Sequence, residues 1–408
     1  MLTPRLRFPE FRKRKAWVQK QAGELFTNRI EHGEDGLPIY SVTMDDGMVK
    51  RSSLDRKFDD IAESGGNKKV HKNDIAYNMM RMWQGAFGVA VEDCMVSPAY
   101  VVLTPQEGVS SDFFGRLLKT PCLLRSLTSQ SHGLTKDRLR LYYKDFAQIA
   151  LPLPSLAEQQ KIADCLTSLD AVVAAQGRKV EALKAHKKGL MQQLFPREGE
   201  TLPRLRFPEF RDAAEWKEKK LDDLAKRRTG HTPSKANPSY YNGGIKWVSL
   251  ADSKRLDNGL ISQTEIEISH EGIENSSAVL HPAGSVILSR DAGVGKSAVT
   301  ALPMAVSQHF IVWICDSADL SNWFLYFVLQ KLKPLFEQIA TGSTIKTIGM
   351  PFFHAMRITV PSFAEQQRIA DFLTTLAARI AAETEKLAAL KTHKQGLMQQ
   401  LFPSPEVV

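Results

Sequence analysis

Pro154-Ser155-Leu156-Ala157-Glu158-Gln159-Gln160 is met again, one residue changed, as Pro361-Ser362-Phe363-Ala364-Glu365-Gln366-Gln367. The correspondence runs on without a gap to Gly189-Leu190-Met191-Gln192-Gln193-Leu194-Phe195-Pro196, which returns at 396–403. Both openings have the Ser-x-x-Glu form of a capping box, in which the serine caps an early backbone N–H and the glutamate reaches back. Beyond the first, apolar residues recur at alternating spacings of four and three: Ile162, Leu166, Leu169, Val173, Val180, Leu183, Leu190 and Leu194. The second copy gives Ile369, Leu373, Leu376, Ile380, Leu387, Leu390, Leu397 and Leu401. Such a repeat is a coiled-coil seam, and it predicts two helices that Pro196 and Pro403 stop.

Polar residues break each seam at matching points, Gln176 and Lys187 in one copy, Glu383 and Lys394 in the other. Seam polars set register; Gln176 and Glu383 are expected to meet if the helices pair antiparallel. Gly189 and Gly396 lie within the helical pattern at a cost of about 1 kcal/mol each against alanine, so their repetition predicts a close helix approach. A seam of this length is expected to serve both its sister helix and a helical partner, and to leave apolar surface when the chain is alone.

A second block, Pro4-Arg5-Leu6-Arg7-Phe8-Pro9-Glu10-Phe11-Arg12, reappears letter for letter at 203–211, so the chain is a head-to-tail duplication. The segments before the helices have diverged but keep a skeleton. Val96-Ser97-Pro98-Ala99-Tyr100-Val101-Val102 lines up with Val306-Ser307-Gln308-His309-Phe310-Ile311-Val312, and both are predicted strands. Asp112-Phe113 matches Asn322-Trp323 at helix starts, and 72–77 matches 283–288 as a turn leading into a strand. The predicted fold class is α+β: two mixed α/β modules joined by two long antiparallel coiled-coil helices, with pseudo-twofold internal duplication. The expected limits are 1–153 for the first module, 154–196 for the first helix, 197–357 for a linker and the second module, and 358–408 for the second helix and C-terminal tail.

The chain has 408 residues, is 43% hydrophobic and carries a net charge of +9. That length fits two domains, and the charge favours a polyanionic partner through counterion release. Cys94, Cys122, Cys165 and Cys315 are scattered, with neither C-x-x-C nor zinc-ligand spacing, and read as thiols of a reducing cytoplasm. The charged start, 5–15, lacks the apolar core of a secretory signal. The apolar run at 323–329 is too short to span a bilayer.

Basic, aromatic, amide and hydroxyl residues cluster in loops at equivalent places, the types that read base edges and hold phosphates. In the first module these are Arg81, Trp83 and Gln84 after a strand, and Lys136 and Arg138 before the final segment. In the second they are Thr232, Lys235 and Tyr241 near its start, Arg290 and Lys296, then Ser343 and Lys346. Gly293-Val294-Gly295-Lys296-Ser297 imitates the end of a phosphate-binding loop, but Arg290 occupies the place of the first glycine and no Walker-type acidic strand follows. No catalytic or metal-ligand motif is legible in the sequence.

Taken together, the two P-S-x-A-E-Q-Q-[KR]-I-A helix openings, the twin G-L-M-Q-Q-L-F-P endings, the P-R-L-R-F-P-E-F repeat and the Thr341-Gly342-Ser343-Thr344 loop resemble the specificity subunit of type I restriction-modification enzymes over essentially the whole chain. The resemblance implies that each module is a target recognition domain reading one half of an asymmetric, interrupted DNA site. It implies a cytoplasmic, non-catalytic chain that binds double-stranded DNA and two modification (methyltransferase) subunits, joined in some systems by restriction subunits. It implies no cofactor on this chain, with S-adenosylmethionine, ATP and Mg on the partner subunits. The helices would be spacer and docking surface, through Leu166, Val173, Gln176, Leu183, Leu190, Leu373, Ile380, Glu383, Leu390 and Leu397. Two other readings compete: a coiled-coil scaffold without DNA specificity, and a phosphotransferase built around Lys296.

Overall fold

The computed structural model describes residues 3–54, 64–135, 138–315, 318–342 and 346–403. The chain forms two compact units, 1–176 with 386–408, and 177–385. The two long helices span Leu156–Leu194 and Phe363–Leu401, 39 residues each, about 58 Å at 1.5 Å per residue.

In the first unit, strands Phe26–Asn28, Tyr100–Pro105, Ile75–Asn78 and Phe87–Val89 form an antiparallel sheet in that order. Three strand pairs belong to the same unit: Tyr40–Val42 with Met48–Lys50, Lys68–Val70 with Cys94–Val96, and Val18–Gln21 with Ala150–Leu153. The sheet buries Phe26, Ile75, Tyr77, Phe87 and Leu103 against helices Ser111–Leu117 and Pro121–Ser129, which contribute Phe113, Phe114, Leu117, Leu123 and Leu127. Ile162, Ala163 and Leu166 of the first long helix enter the same core, as do Leu401 and Phe402 at the end of the second.

The second unit has a five-stranded sheet, Ala225–Thr229, Phe310–Cys315, Val286–Ser289, Ser297–Thr300 and Leu260–Ile261, its last pair parallel. A three-stranded sheet is formed by Ile266–Ile268, Tyr241–Val248 and Ala305–Val306. Helix Asn322–Ile339, capped by Ser321, brings Phe324, Phe327 and Phe336 to a core with Trp216 and Trp313. Leu194 and Phe195 from the end of the first long helix, and Ile369, Ala370 and Leu373 from the start of the second, complete it.

The repeated blocks dock on one another. Arg7 donates from Nε and Nη2 to the two carboxylate oxygens of Glu158, both at 2.7 Å, and from its terminal nitrogens to the Arg14 and Lys15 carbonyls. Trp17 donates to the same carboxylate. Arg206 repeats this on Glu365 and on the Ala213 and Ala214 carbonyls. Leu6 N–H donates to the Gln400 carbonyl at 3.0 Å, and Leu205 N–H to that of Gln193 at 2.9 Å. The adjacent glutamines clamp each module to its helix: Gln159 accepts from Ser110 N–H and donates to the Gly108 and Pro154 carbonyls, and Gln366 does the same with Ser321, Asp319 and Pro361.

These contacts revise the capping-box reading. The serines do cap, Ser155 accepting from Glu158 N–H and Ser362 from Glu365 N–H, but the glutamate side chains turn to buried arginines rather than back to the cap. The guanidinium offers two charged donors where the cap offers one neutral N–H. The long strands expected over 96–102 and 306–312 are each interrupted by a turn, with Tyr100 N–H donating to the Ser97 carbonyl and Phe310 N–H to that of Ser307. The close helix approach expected at Gly189 and Gly396 is absent: a Cβ on either would meet no atom within 4 Å.

Of the predicted seam residues, Leu166, Leu373 and Gln176 are buried, and Val173, Leu183, Leu190, Ile380, Glu383, Leu390 and Leu397 are half-buried. Large apolar side chains left exposed on the two long helices are Leu156 and Val172. Lys179 donates to the Glu383 carboxylate at 2.5 Å in the second unit. In the first unit Asp170 pairs with Lys394 and with Arg116, and these two cations hold its pKa down against the opposing effect of burial. Lys187 lies over the Phe327 ring at 5.5 Å.

Candidate nucleic-acid interface

Two central strands, Ile75–Asn78 and Val286–Ser289, run out into the loops that carry Arg81 and Arg290. Beside each lies a short hairpin. In the first unit His132 and Arg140 exchange backbone hydrogen bonds of 2.9 and 2.8 Å; in the second Thr341 and Thr347 exchange bonds of 3.1 and 2.9 Å. The residue after the hairpin then donates to the strand-end loop, Leu141 N–H to the Met79 carbonyl at 2.9 Å and Ile348 N–H to the Arg290 carbonyl at 3.0 Å. The two loops singled out in each module are thus held side by side by one recurring backbone bond. Gly133 permits the first hairpin, because a Cβ there would collide with the Arg138 carbonyl.

Arg81, Gln84 and Arg138 are exposed, with side chains in no ion pair among the described residues. Trp83 is half-buried and donates its indole N–H to the Met80 carbonyl at 3.0 Å, which fixes the ring at the loop surface. His132 lies 3.3 Å from Asp145 through Nε2. Lys136 falls outside the described residues, as does Ser343 in the second unit.

In the second unit Lys235 and Lys346 are exposed. Thr232 donates to the Gln308 side chain at 2.5 Å, and His231 N–H to the Val306 carbonyl, so the 231–235 loop flanks the Ser307-Gln308-His309 turn. Arg290 N–H donates to the His309 carbonyl at 3.0 Å. Asp291 links these parts: its Oδ2 takes the His309 Nδ1–H at 2.8 Å and its Oδ1 takes the Thr347 hydroxyl.

Two candidates are engaged by the fold. The Lys296 ammonium donates to the Ser253 carbonyl and hydroxyl at 3.0 and 2.9 Å, where an outward base or phosphate contact was expected. The turn that carries it inward depends on Gly293 and Gly295 at φ +113° and +84°. Tyr241 gives its hydroxyl to the Pro233 carbonyl at 2.6 Å, and burial raises its pKa. Gln308 and His309 were missed from the sequence because they stood in a predicted strand; Asp291 and Thr347, beside Arg290 and Lys346, were not singled out. The alignment of Gln308-His309 with Pro98-Ala99 was the available signal, since a proline in one copy argues against a continuous paired strand. Among the described residues no group of three or more His, Cys, Asp or Glu side chains is placed to hold a metal, and no helix is long and apolar enough to cross a membrane.

The sequence matches the model of the type I restriction modification DNA specificity domain twice, over residues 18–185 and 213–392. The chain belongs to this family. It is similar to the EcoR124I/EcoR124II specificity subunit of Escherichia coli, 26% identical over 292 residues, 67% of this chain and 68% of that protein. It is similar to the MjaVIII specificity subunit of Methanocaldococcus jannaschii, 21% identical over 355 residues, 82% and 79% of the two chains. The match to the MjaIX specificity subunit of the same organism is 27% identical and spans 37% of that protein's length. Among solved structures, the fold is similar to the S subunit of a type I restriction-modification system from M. genitalium, with a TM-score of 0.60 at 15% identity over 99% of this chain and all of that one. A chain from a study of type I R-M assembly and conformational transition gives 0.58 at 19% identity, with 95% and 98% coverage.

Proposed function

We propose that this specificity-family chain is a non-catalytic address subunit whose two modules each read one half of an asymmetric, interrupted DNA site. The observation that carries this reading is the recurrence of one loop-and-hairpin scaffold in both modules with different side chains on it. On the shared bond Met79 answers to Arg290 and Met80 to Asp291, so Arg81, Trp83 and Gln84 stand where the second module has Ala292, Val294 and Gly295. A common backbone frame with changed side chains is what two readers of unlike sequences need, since base-edge contacts specify while phosphate contacts position. The +9 charge supports a polyanionic partner.

The same proposal makes the long helices an antiparallel coiled coil that spaces the modules and docks two modification subunits, which would carry S-adenosylmethionine and the methyl transfer. Restriction subunits would bring ATP and Mg. Support comes from within each unit. In the first, the helix core advances from Ile162 and Leu166 to Asp170 as its partner retreats from Leu401 to Lys394. In the second, it advances from Lys179 to Leu194 as its partner retreats from Glu383 to Ile369.

The test is module exchange in the complex with modification subunits, read by the sequences that become methylated. Replacing 1–153 by the module of a relative should change one half of the site and leave the other half and the gap intact. Change in both halves, or methylation without sequence preference, would overturn the reading.

A further inference from the structure

We propose that His309, oriented by Asp291, is a base-reading residue of the second module and that it acts with Arg290 to select a G·C pair; this rests on the DNA-reading function proposed above. A carboxylate accepts hydrogen bonds only, so the 2.8 Å contact with Asp291 Oδ2 places the proton of the neutral imidazole on Nδ1. The other ring nitrogen, Nε2, is then an acceptor with a fixed direction. Asp291 is itself held: it is 8% exposed, its second oxygen takes the Thr347 hydroxyl from the hairpin, and its own carbonyl takes the Ser289 hydroxyl. The imidazole keeps about a third of its surface, 33%.

Arg290 sits beside it. Its Nε is 3.7 Å from the same Asp291 oxygen, and its backbone N–H bonds to the His309 carbonyl, so guanidinium and imidazole flank one carboxylate. The buried Nε has no hydrogen-bond partner among the described residues while the side chain remains 26% exposed, and its two terminal nitrogens are here assigned to the base. The pair therefore offers two donors next to one acceptor. In the major groove a G·C pair presents guanine N7 and O6 as acceptors and then the cytosine N4 amino group as donor; an A·T pair presents acceptor, donor, acceptor. The donor-donor-acceptor pattern fits the first and misfits the second.

The experiment uses the complex with its modification subunits and a duplex library randomised over the site. His309→Phe keeps a ring of similar shape and removes the acceptor. It should relax one position of the second module's half-site from G·C by about tenfold, with the first module's half-site unchanged as a control for folding. His309→Gln, which retains an acceptor oxygen, should keep most of the preference, and His309→Lys, a donor only, should lose it; this pair decides the matter if the phenylalanine variant fails to fold. Unchanged preference at every position in His309→Phe, or uniform weakening on all sequences, would overturn the assignment. Exchange of the whole second module separates the two levels: if it changes the half-site while His309→Phe does not, only the role of His309 fails. If it changes nothing, the DNA-reading function fails with it.

Discussion

Glu158 and Glu365, each 1% exposed in the side chain, are buried carboxylates whose neutralisation rests on one arginine apiece. Removing one partner of such a pair costs about 3–5 kcal/mol, whereas replacing both by apolar groups is often neutral. Arg7→Met should therefore destabilise the first unit by about that amount in denaturant titration, and Arg7→Met with Glu158→Leu should recover most of it. The recovery should be less complete than for the Arg206 and Glu365 pair, because Trp17 also donates to Glu158 while the Trp216 indole N–H has no partner among the described residues. A different buried group gives a pH dependence. His281 is 1% exposed, and neither ring nitrogen has a hydrogen-bond partner among the described residues. Burial, aided by Arg228, lowers its pKa to about 4, against about 6.5 in an unfolded chain. Above pH 6.5 both states are neutral and stability is intact; as pH falls from 6.5 to 4 the unfolded state takes up a proton that the folded state refuses. Stability should drop across that window by on the order of 3 kcal/mol, seen as a falling melting temperature that His281→Leu flattens. At this scale the sequence was a partial guide. Ser-x-x-Glu located each helix start, but the partner of the glutamate lay some 150 residues away in chain order, beyond any local pattern.

The helices were the most legible elements, because a sustained seam and a terminal proline leave one interpretation. Their glycines were not, since a glycine in a helix signals either close contact or a tolerated cost, and periodicity cannot separate these. With open space around both, Gly189→Ala and Gly396→Ala should each stabilise the isolated chain by up to about 1 kcal/mol in denaturant titration. Destabilisation would mean a contact the structure does not show. The ion pair from Lys179, a half-exposed lysine at 46%, to Glu383 should contribute less than about 1 kcal/mol, so Lys179→Met should hardly move the midpoint. The strands were legible where β-branched residues ran unbroken, as in Phe310–Cys315, and misjudged where a turn interrupted a run of strand-forming residues. That turn is where the second module places Gln308 and His309.

At the scale of the whole molecule, the duplication and the two-module plan were legible because repeated blocks mark themselves. Which loop residues face a ligand was not, since the ammonium of Lys296 and the hydroxyl of Tyr241 look the same in sequence whether they point outward or bond Ser253 and Pro233. The exposed cations give an expectation that belongs to the assembled complex: alanine at Arg81 or Lys346 should either reduce the salt slope of binding by about one or relax one position of the site, and binding unchanged on both counts would place the interface elsewhere. The bond from Leu6 N–H to the Gln400 carbonyl has its double in the bond from Leu205 N–H to the Gln193 carbonyl. Each repeated block is therefore tied to the end of a long helix by the same backbone bond, once within each unit. Joining residue 403 to residue 4 through a linker at least as long as the six residues of 197–202, and cutting within 198–202, should give a circular permutant that starts with the second module. It should fold and direct methylation to the same sequence with the same gap, and a permutant that folds but has a changed site would show that chain order carries information the contacts do not.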